Sequence, residues 1–265
     1  MTGVKRDTTT TERVPGHMKA CAAREALARF TPRILSIATV AALIACGDST
    51  GVSDDNYDIE FDFSNDYQGW VAGFADYPVG KEIEWGIGSS LATLPSPLDV
   101  SRKGILLTGT NHSDDLFMYM TRGITALTPN KSYALRFRVT LATNAPKNCV
   151  GVGGAPGESV VLKVGGTSTE PGRVVDAAEY YRANFDHGSQ LTSGRDVSSV
   201  GDLANSNTNC LTPRYELKQY DSGTMSLTAN ANASGRVWLV VGIDSGFEGT
   251  TSVYITSVKV DVDPR

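Results

Sequence analysis

Between Tyr133 and Leu141 every second residue is a large apolar one. Tyr133, Leu135, Phe137, Val139 and Leu141 alternate with Ala134, Arg136, Arg138 and Thr140. Side chains repeat every two residues only on an extended chain, so this stretch is a strand with one buried face. The pattern returns near both ends. Ile59, Phe61 and Phe63 alternate with Asp58, Glu60 and Asp62, while Tyr254, Thr256, Val258, Val260 and Val262 oppose Lys259, Asp261 and Asp263. Residues 116–120 and 237–241 are unbroken apolar runs, as strands covered on both faces require. Trp238, inside the second run, is assigned to the core. Further strands are expected at 68–75, 81–85, 104–109, 158–164 and 214–219. Turn signals separate them: Thr128-Pro129-Asn130, Ala155-Pro156-Gly157, Glu170-Pro171-Gly172 and Ala233-Ser234-Gly235. The one place for a helix is 174–181, and the long polar stretch 183–212 is read as an excursion. About ten strands at hairpin-like spacing, without alternating helices, give an all-β chain folded as an antiparallel β-sandwich.

Three short motifs carry a resemblance. Phe61-Asp62-Phe63 with Gly69-Trp70, Leu127-Thr128-Pro129-Asn130-Lys131-Ser132-Tyr133, and the closing run 252–260 follow one another in order. Together they resemble galactose-binding-like jelly rolls, a group that includes many carbohydrate-binding modules. The resemblance implies a jelly-roll sandwich that binds carbohydrate or another extracellular polymer without catalysis. Such modules often hold a structural calcium through an Asp in the closing strand. Thr256-Ser257 stand there in this chain, so the resemblance does not extend to that calcium.

A second resemblance concerns location. Leu43-Ile44-Ala45-Cys46 is similar to the lipobox of bacterial lipoproteins. Arg24, Arg29 and Arg33 precede it as a positive region, and 34–45 is an uncharged apolar stretch. That stretch is shorter than the roughly 20 residues a spanning helix needs, and its flanks fit an export signal. The resemblance implies cleavage before Cys46, a lipid on its sulfur, and anchoring in a bacterial cell envelope. Gly47 after the cysteine points to the outer membrane where the host has one. The expected organisation is a signal over 1–45, which either starts at Met18 or has an unusual n-region, a lipidated tether over 46–56 and a sandwich over 57–265. After cleavage 17 Lys and Arg face 26 Asp and Glu, a net charge near −9. With no basic cluster to offset it, that surface repels phosphate backbones, which argues against a nucleic-acid partner.

Of the four cysteines, Cys21 leaves with the signal and Cys46 takes lipid. Cys149 and Cys210 remain, and an oxidising compartment favours a disulfide between them. Metal ligation by the pair is the alternative, although neither has a CxxC partner or a nearby histidine.

Candidate chemistry gathers at turns. Asn111-His112-Ser113-Asp114-Asp115 precedes an apolar strand, so its polar atoms lie at a sheet end. Its packed oxygens suit calcium, a hard cation that takes six to eight of them. Asn111, Asp114, Asp115, Asp244 and Glu248 form the candidate set if their loops share one rim. His112 beside Asp114 also reads as an acid–base pair, and a solvated hairpin turn explains the same residues without any ligand. Asp186-His187 forms another cluster, and a hydrolase built on these histidines and carboxylates is the competing class. A structural envelope protein with no small ligand is a third. Gly47-Asp48-Ser49-Thr50-Gly51 fits G-x-S-x-G but lies in the tether, without the strand and helix a nucleophile elbow requires. Trp70, Tyr77 and Trp85 crowd one segment. They serve either as core or, with His112, Asp186 and His187, as an aromatic and polar surface for sugar.

Overall fold

The computed structural model describes residues 56–265 apart from 114, 224 and 226. The expected leader, Cys46, the G-x-S-x-G string and Asp114 lie outside the described residues. The strands are β1 (Tyr57–Asp62), β2 (Val71–Ala75), β3 (Tyr77–Pro78), β4 (Gly88–Thr93), β5 (Lys103–Thr110), β6 (Leu116–Ile124), β7 (Ser132–Thr143) and β8 (Val160–Thr167). They continue as β9 (Arg173–Val175), β10 (Tyr180–Ala183), β11 (Val197–Asp202), β12 (Glu216–Asp221), β13 (Leu227–Asn230), β14 (Val237–Ser245) and β15 (Thr250–Pro264).

Every ladder is antiparallel. One sheet has seven strands in the order β12-β7-β15-β5-β4, with β1 beside β15 and β13 beside β7. The other has five, β11-β8-β14-β6-β2. The chain crosses directly between these sheets at β1–β2, β5–β6, β6–β7, β7–β8, β11–β12, β13–β14 and β14–β15, as in a jelly-roll sandwich. The alternating residues explain the layering. Tyr133, Leu135, Phe137, Val139 and Leu141 of β7 meet Leu116, Met118 and Met120 of β6 and Leu239, Val241 and Ile243 of β14 in one core. Each of these is buried. Arg136 and Arg138, on the other face of β7, pair with Asp221 and Asp261 at the surface. Where the closing strand carries Thr256-Ser257 its register shifts between Ile255 and Ser257, and Thr256 Oγ1 donates to the Thr140 carbonyl.

Three local expectations are corrected. Residues 81–85 form a turn, closed by Trp85 N donating to the Lys81 carbonyl, not a strand. Residues 174–181 are not helical: β9 and β10 form a hairpin that joins β3 in a small third sheet. The expected excursion 183–212 is not all loop, because β11 inside it pairs with β8. Cys149 and Cys210 form a disulfide, with Cα atoms 5.7 Å apart.

Candidate functional site

The unbroken apolar runs of β6 and β14 have their physical cause on the outer face of the five-stranded sheet. Residues 168–196 fold back over part of that face. Phe185 packs edge-on against Phe117 and Tyr119, and Ala183, Val197, Val240 and Ala75 complete a second apolar cluster there. The His187 ring stacks flat on Phe117, with centroids 4.1 Å apart and planes 2° apart. Glycines in the sheet permit this approach. A side chain at Gly165 would collide with the Asp196 carbonyl, and one at Gly242 would strike the Phe117 ring.

Beneath the excursion lies a charge network. Lys163 on β8 and Asp244 on β14 are both fully buried, with Nζ 2.7 Å from Oδ2. Lys163 Nζ also donates to the carbonyls of His187 and Thr192 at 2.6 and 2.8 Å, tying the excursion to the sheet. His187 Nδ1 lies 3.3 Å from Asp244 Oδ2, and its Nε2 lies 3.1 Å from Asp76 Oδ2. Asp76 follows β2 at φ 66°, a left-handed conformation that aspartate tolerates better than most residues. It also accepts from Arg182, which reaches Asp176.

These contacts set the protonation states. Burial opposes charge on His187, but hydrogen bonds and attraction from Asp244 and Asp76 outweigh it and raise its pKa from 6.5 to about 9. Burial likewise pushes the Asp76 carboxyl up, yet hydrogen bonds from His187 and Arg182 hold it below the usual range. Asp115 goes the other way. Burial, the charges of Asp244 and Asp76, and a hydrogen bond to Asp244 raise it from 3.8 to about 8. Asp115 is therefore a neutral acid at pH 7.

Three residues singled out from the sequence, Asp115, His187 and Asp244, thus meet; the others do not join them. His112 is exposed, edge-on to Trp85, with Nε2 3.3 Å from the Glu84 carbonyl. Asn111 is buried and donates to the Ser245 carbonyl. Asp186 is exposed and accepts from the backbone of Gly188 and Arg195. Glu248 is half-buried in the β14–β15 turn, its N donating to the Val152 carbonyl. Of the expected calcium set, Asp114 lies outside the described residues. Asn111 Oδ1 accepts from Ser113 N, Asp244 Oδ2 faces the Lys163 ammonium, and no three His, Cys, Asp or Glu side chains among the described residues are arranged to hold a metal ion.

The aromatic reading is corrected as well. Trp70, Tyr77 and Trp85 are 3, 0 and 2% exposed, so they build core and offer no platform to sugar. Trp70 packs edge-on to Phe61 and Phe63. The tryptophan assigned to the core, Trp238, is the one that reaches the surface. It is half-buried on the outer face of the five-stranded sheet, with the Arg236 guanidinium 5.3 Å from its ring centroid. Its cross-strand neighbour on β6 is Gly123, which has no side chain to cover the ring.

On β14, Trp238 pairs with Gly123 of β6 on one side and with Thr167 of β8 on the other. Two residues further along β14, Val240 pairs with Thr121, which with Tyr119 of β6, Val71 and Gly73 of β2, and Pro171 and Arg173 of the excursion lines a groove of about 360 Å³. β2 is the last strand of its sheet, and Val71 is 65% exposed. Arg173 is oriented by Tyr77 Oη and lies 3.6 Å from the centroid of the Tyr181 ring.

Sequence reasoning missed Asp76, Lys163 and Arg182. A signal for Lys163 was present: a single lysine interrupts Val160-Val161-Leu162 and Val164, and a charge inside a doubly covered strand requires a partner. Asp244 closes the neighbouring apolar run with the opposite sign.

No protein-family model matches the chain, and no curated protein matches it either. Solved structures with a similar arrangement include the K1 cleaved adhesin domain of Lys-gingipain from Porphyromonas gingivalis W83. It is 13% identical, with 79% of this chain and 99% of that one covered and a TM-score of 0.32. TmCBM27, a carbohydrate-binding module described by its mannan recognition, is 12% identical over 78% of this chain and 97% of its own, at 0.31. The CBM22-1–GH10 modules of Clostridium thermocellum xylanase 10B are 10% identical over 77% of this chain, at 0.35. There the match spans 28% of the xylanase chain.

Proposed function

We propose that this chain is an exported lipoprotein of a bacterial envelope, anchored through Cys46, whose sandwich binds carbohydrate without catalysis. The ligand would lie across the open end of the five-stranded sheet. One observation carries the reading: the half-buried Trp238 ring lies opposite a strand position without a side chain, two residues along β6 from Thr121 in the groove lining. Sugar rings present apolar C–H faces that stack on such a ring, as aromatic side chains combine a broad apolar face with polar surroundings. Neighbouring strands lie about 4.8 Å apart, so the strip from Trp238 across β6 to Val71 is about 10 Å wide. Arg173 and the outward edge of β2 supply donors and acceptors for hydroxyl groups.

The buried charge cluster is a poor candidate for catalysis. Asp244 and Lys163 are sealed from solvent, and the charges of His187 and Asp76 are met by protein partners. The test is a glycan array probed with the 46–265 segment and with its Trp238→Ala variant. Recognition of at least one glycan family, lost in the variant at unchanged thermal stability, supports the reading. Binding that survives Trp238→Ala, or no binding across the array, contradicts it.

A further inference from the structure

We propose that Lys163 and Asp244 condense into an intramolecular amide between Nζ and Cγ, stapling β8 to β14 across the covered face of the sheet. The amine nitrogen already lies 2.7 Å from a carboxylate oxygen, and neither side chain has any solvent exposure. The ladder puts them there. Lys163 is opposite Gly242 and Asp244 is opposite Val161, so the two are diagonal neighbours on one face. Removing two charges from water is costly, and mutual attraction does not always repay it. Proton transfer across the contact, followed by loss of water, removes both charges.

A third group makes the step chemically complete. Asp115 is hydrogen-bonded to Asp244 and is held protonated beside it. Among the described residues, Asp115 Oδ1 and Asp244 Oδ1 are each buried without a donor when both are counted as carboxylates, and one proton between them satisfies both. The Lys163 ammonium first gives a proton to Asp244 Oδ2, leaving a neutral amine and a neutral acid. The nitrogen lone pair attacks Cγ, and the Asp115 hydroxyl hydrogen-bonds the oxygen on which negative charge develops. A second nitrogen proton passes to Oδ2, the C–Oδ2 bond breaks, and Oδ2 departs as water. Asp115 ends as it began, so ammonium plus carboxylate become amide plus water with no other reagent. The amide N–H that remains can keep one of the two carbonyl contacts that Nζ makes now, to His187 or Thr192. The covering excursion keeps bulk water from reversing the bond.

Intact mass spectrometry of the denatured, reduced chain reads the outcome. Wild type should be lighter than its sequence by one water, whereas Lys163→Arg and Asp115→Asn should keep their full masses. Trimming at the N-terminus affects all three alike and cancels. Peptide mapping should find a branched fragment joining the Lys163 peptide to the Asp244 peptide. Full mass in wild type overturns the proposal. A water loss that persists in Lys163→Arg also overturns it, because the dehydration then lies elsewhere. Should Lys163→Arg fail to fold, the near-isosteric Asp115→Asn and the wild-type map still decide.

Discussion

Replacing Cys149 and Cys210 together by serine tests how much of the fold depends on an oxidising environment. The bridge joins positions 61 residues apart. In the chain-entropy treatment, opening a loop of that length costs about 4 kcal/mol, because the unfolded chain regains the freedom that the link removed. The folded side should change little. Lys147 N donates to the Asn207 carbonyl at 2.7 Å and Asn205 N to the Ala145 carbonyl at 2.9 Å, so the two loops stay joined without the sulfurs. Asn205 Nδ2 adds bonds to the carbonyls of Thr143 and Arg214. For a domain of this size, the loss corresponds to a fall in Tm of about 10 °C. Urea unfolding of wild type, of wild type under reductant, and of the double variant should give two coincident destabilised curves and one stable one. A change below about 1 kcal/mol would mean that the denatured chain keeps these loops together unaided. A variant that no longer folds would mean that the bridge shapes the native state as well.

Other outcomes follow from particular contacts. Gly165→Ala should push the Asp196 segment off the sheet, so limited proteolysis should cut within 183–196 faster than in wild type; equal rates would contradict the close approach. Asp76→Asn leaves His187 and Arg182 without their shared carboxylate and should cost about 3 kcal/mol in urea unfolding, whereas a neutral effect would mean that the pairing contributes nothing. His187 binds its proton more tightly folded than unfolded. Its contribution is therefore complete below pH 6.5 and lost as pH rises through about 9. In Asp115→Asn, where the Lys163–Asp244 pair stays uncondensed, stability should drop over that window by on the order of 3 kcal/mol. The condensed wild type, in which Asp244 carries no charge, should drop less; a flat profile in Asp115→Asn would refute the assignment.

Strands and core were legible because alternation is a local property. Tyr133 to Leu141 and Ile59 to Phe63 state their inward face residue by residue; the structure buries those side chains except Ile59, which is half-buried against the same core. The covered runs of β6 and β14 were legible as covered, but not what covers them, since that depends on where 168–196 folds back. The same dependence misplaced the aromatics. Trp85 sits in a turn that the sequence presents as a strand, and its burial comes from Tyr77 and the β5 side of the core. Trp238 sits in an apolar run, yet it falls on the outward phase of β14 beyond the reach of the excursion. His187 and Asp244 were both noticed, but 57 residues separate them, and only the docking of the excursion joins them.

Tryptophan fluorescence during a saccharide titration tests the central claim directly. Of the three tryptophans, Trp70 and Trp85 are buried and only Trp238 is open to solvent. A saccharide that binds at the open end of the five-stranded sheet should shift the emission and protect it from acrylamide, and Trp238→Phe should abolish both responses. A saccharide that binds with unchanged emission, or a response that persists in Trp238→Phe, would place the ligand elsewhere on the molecule.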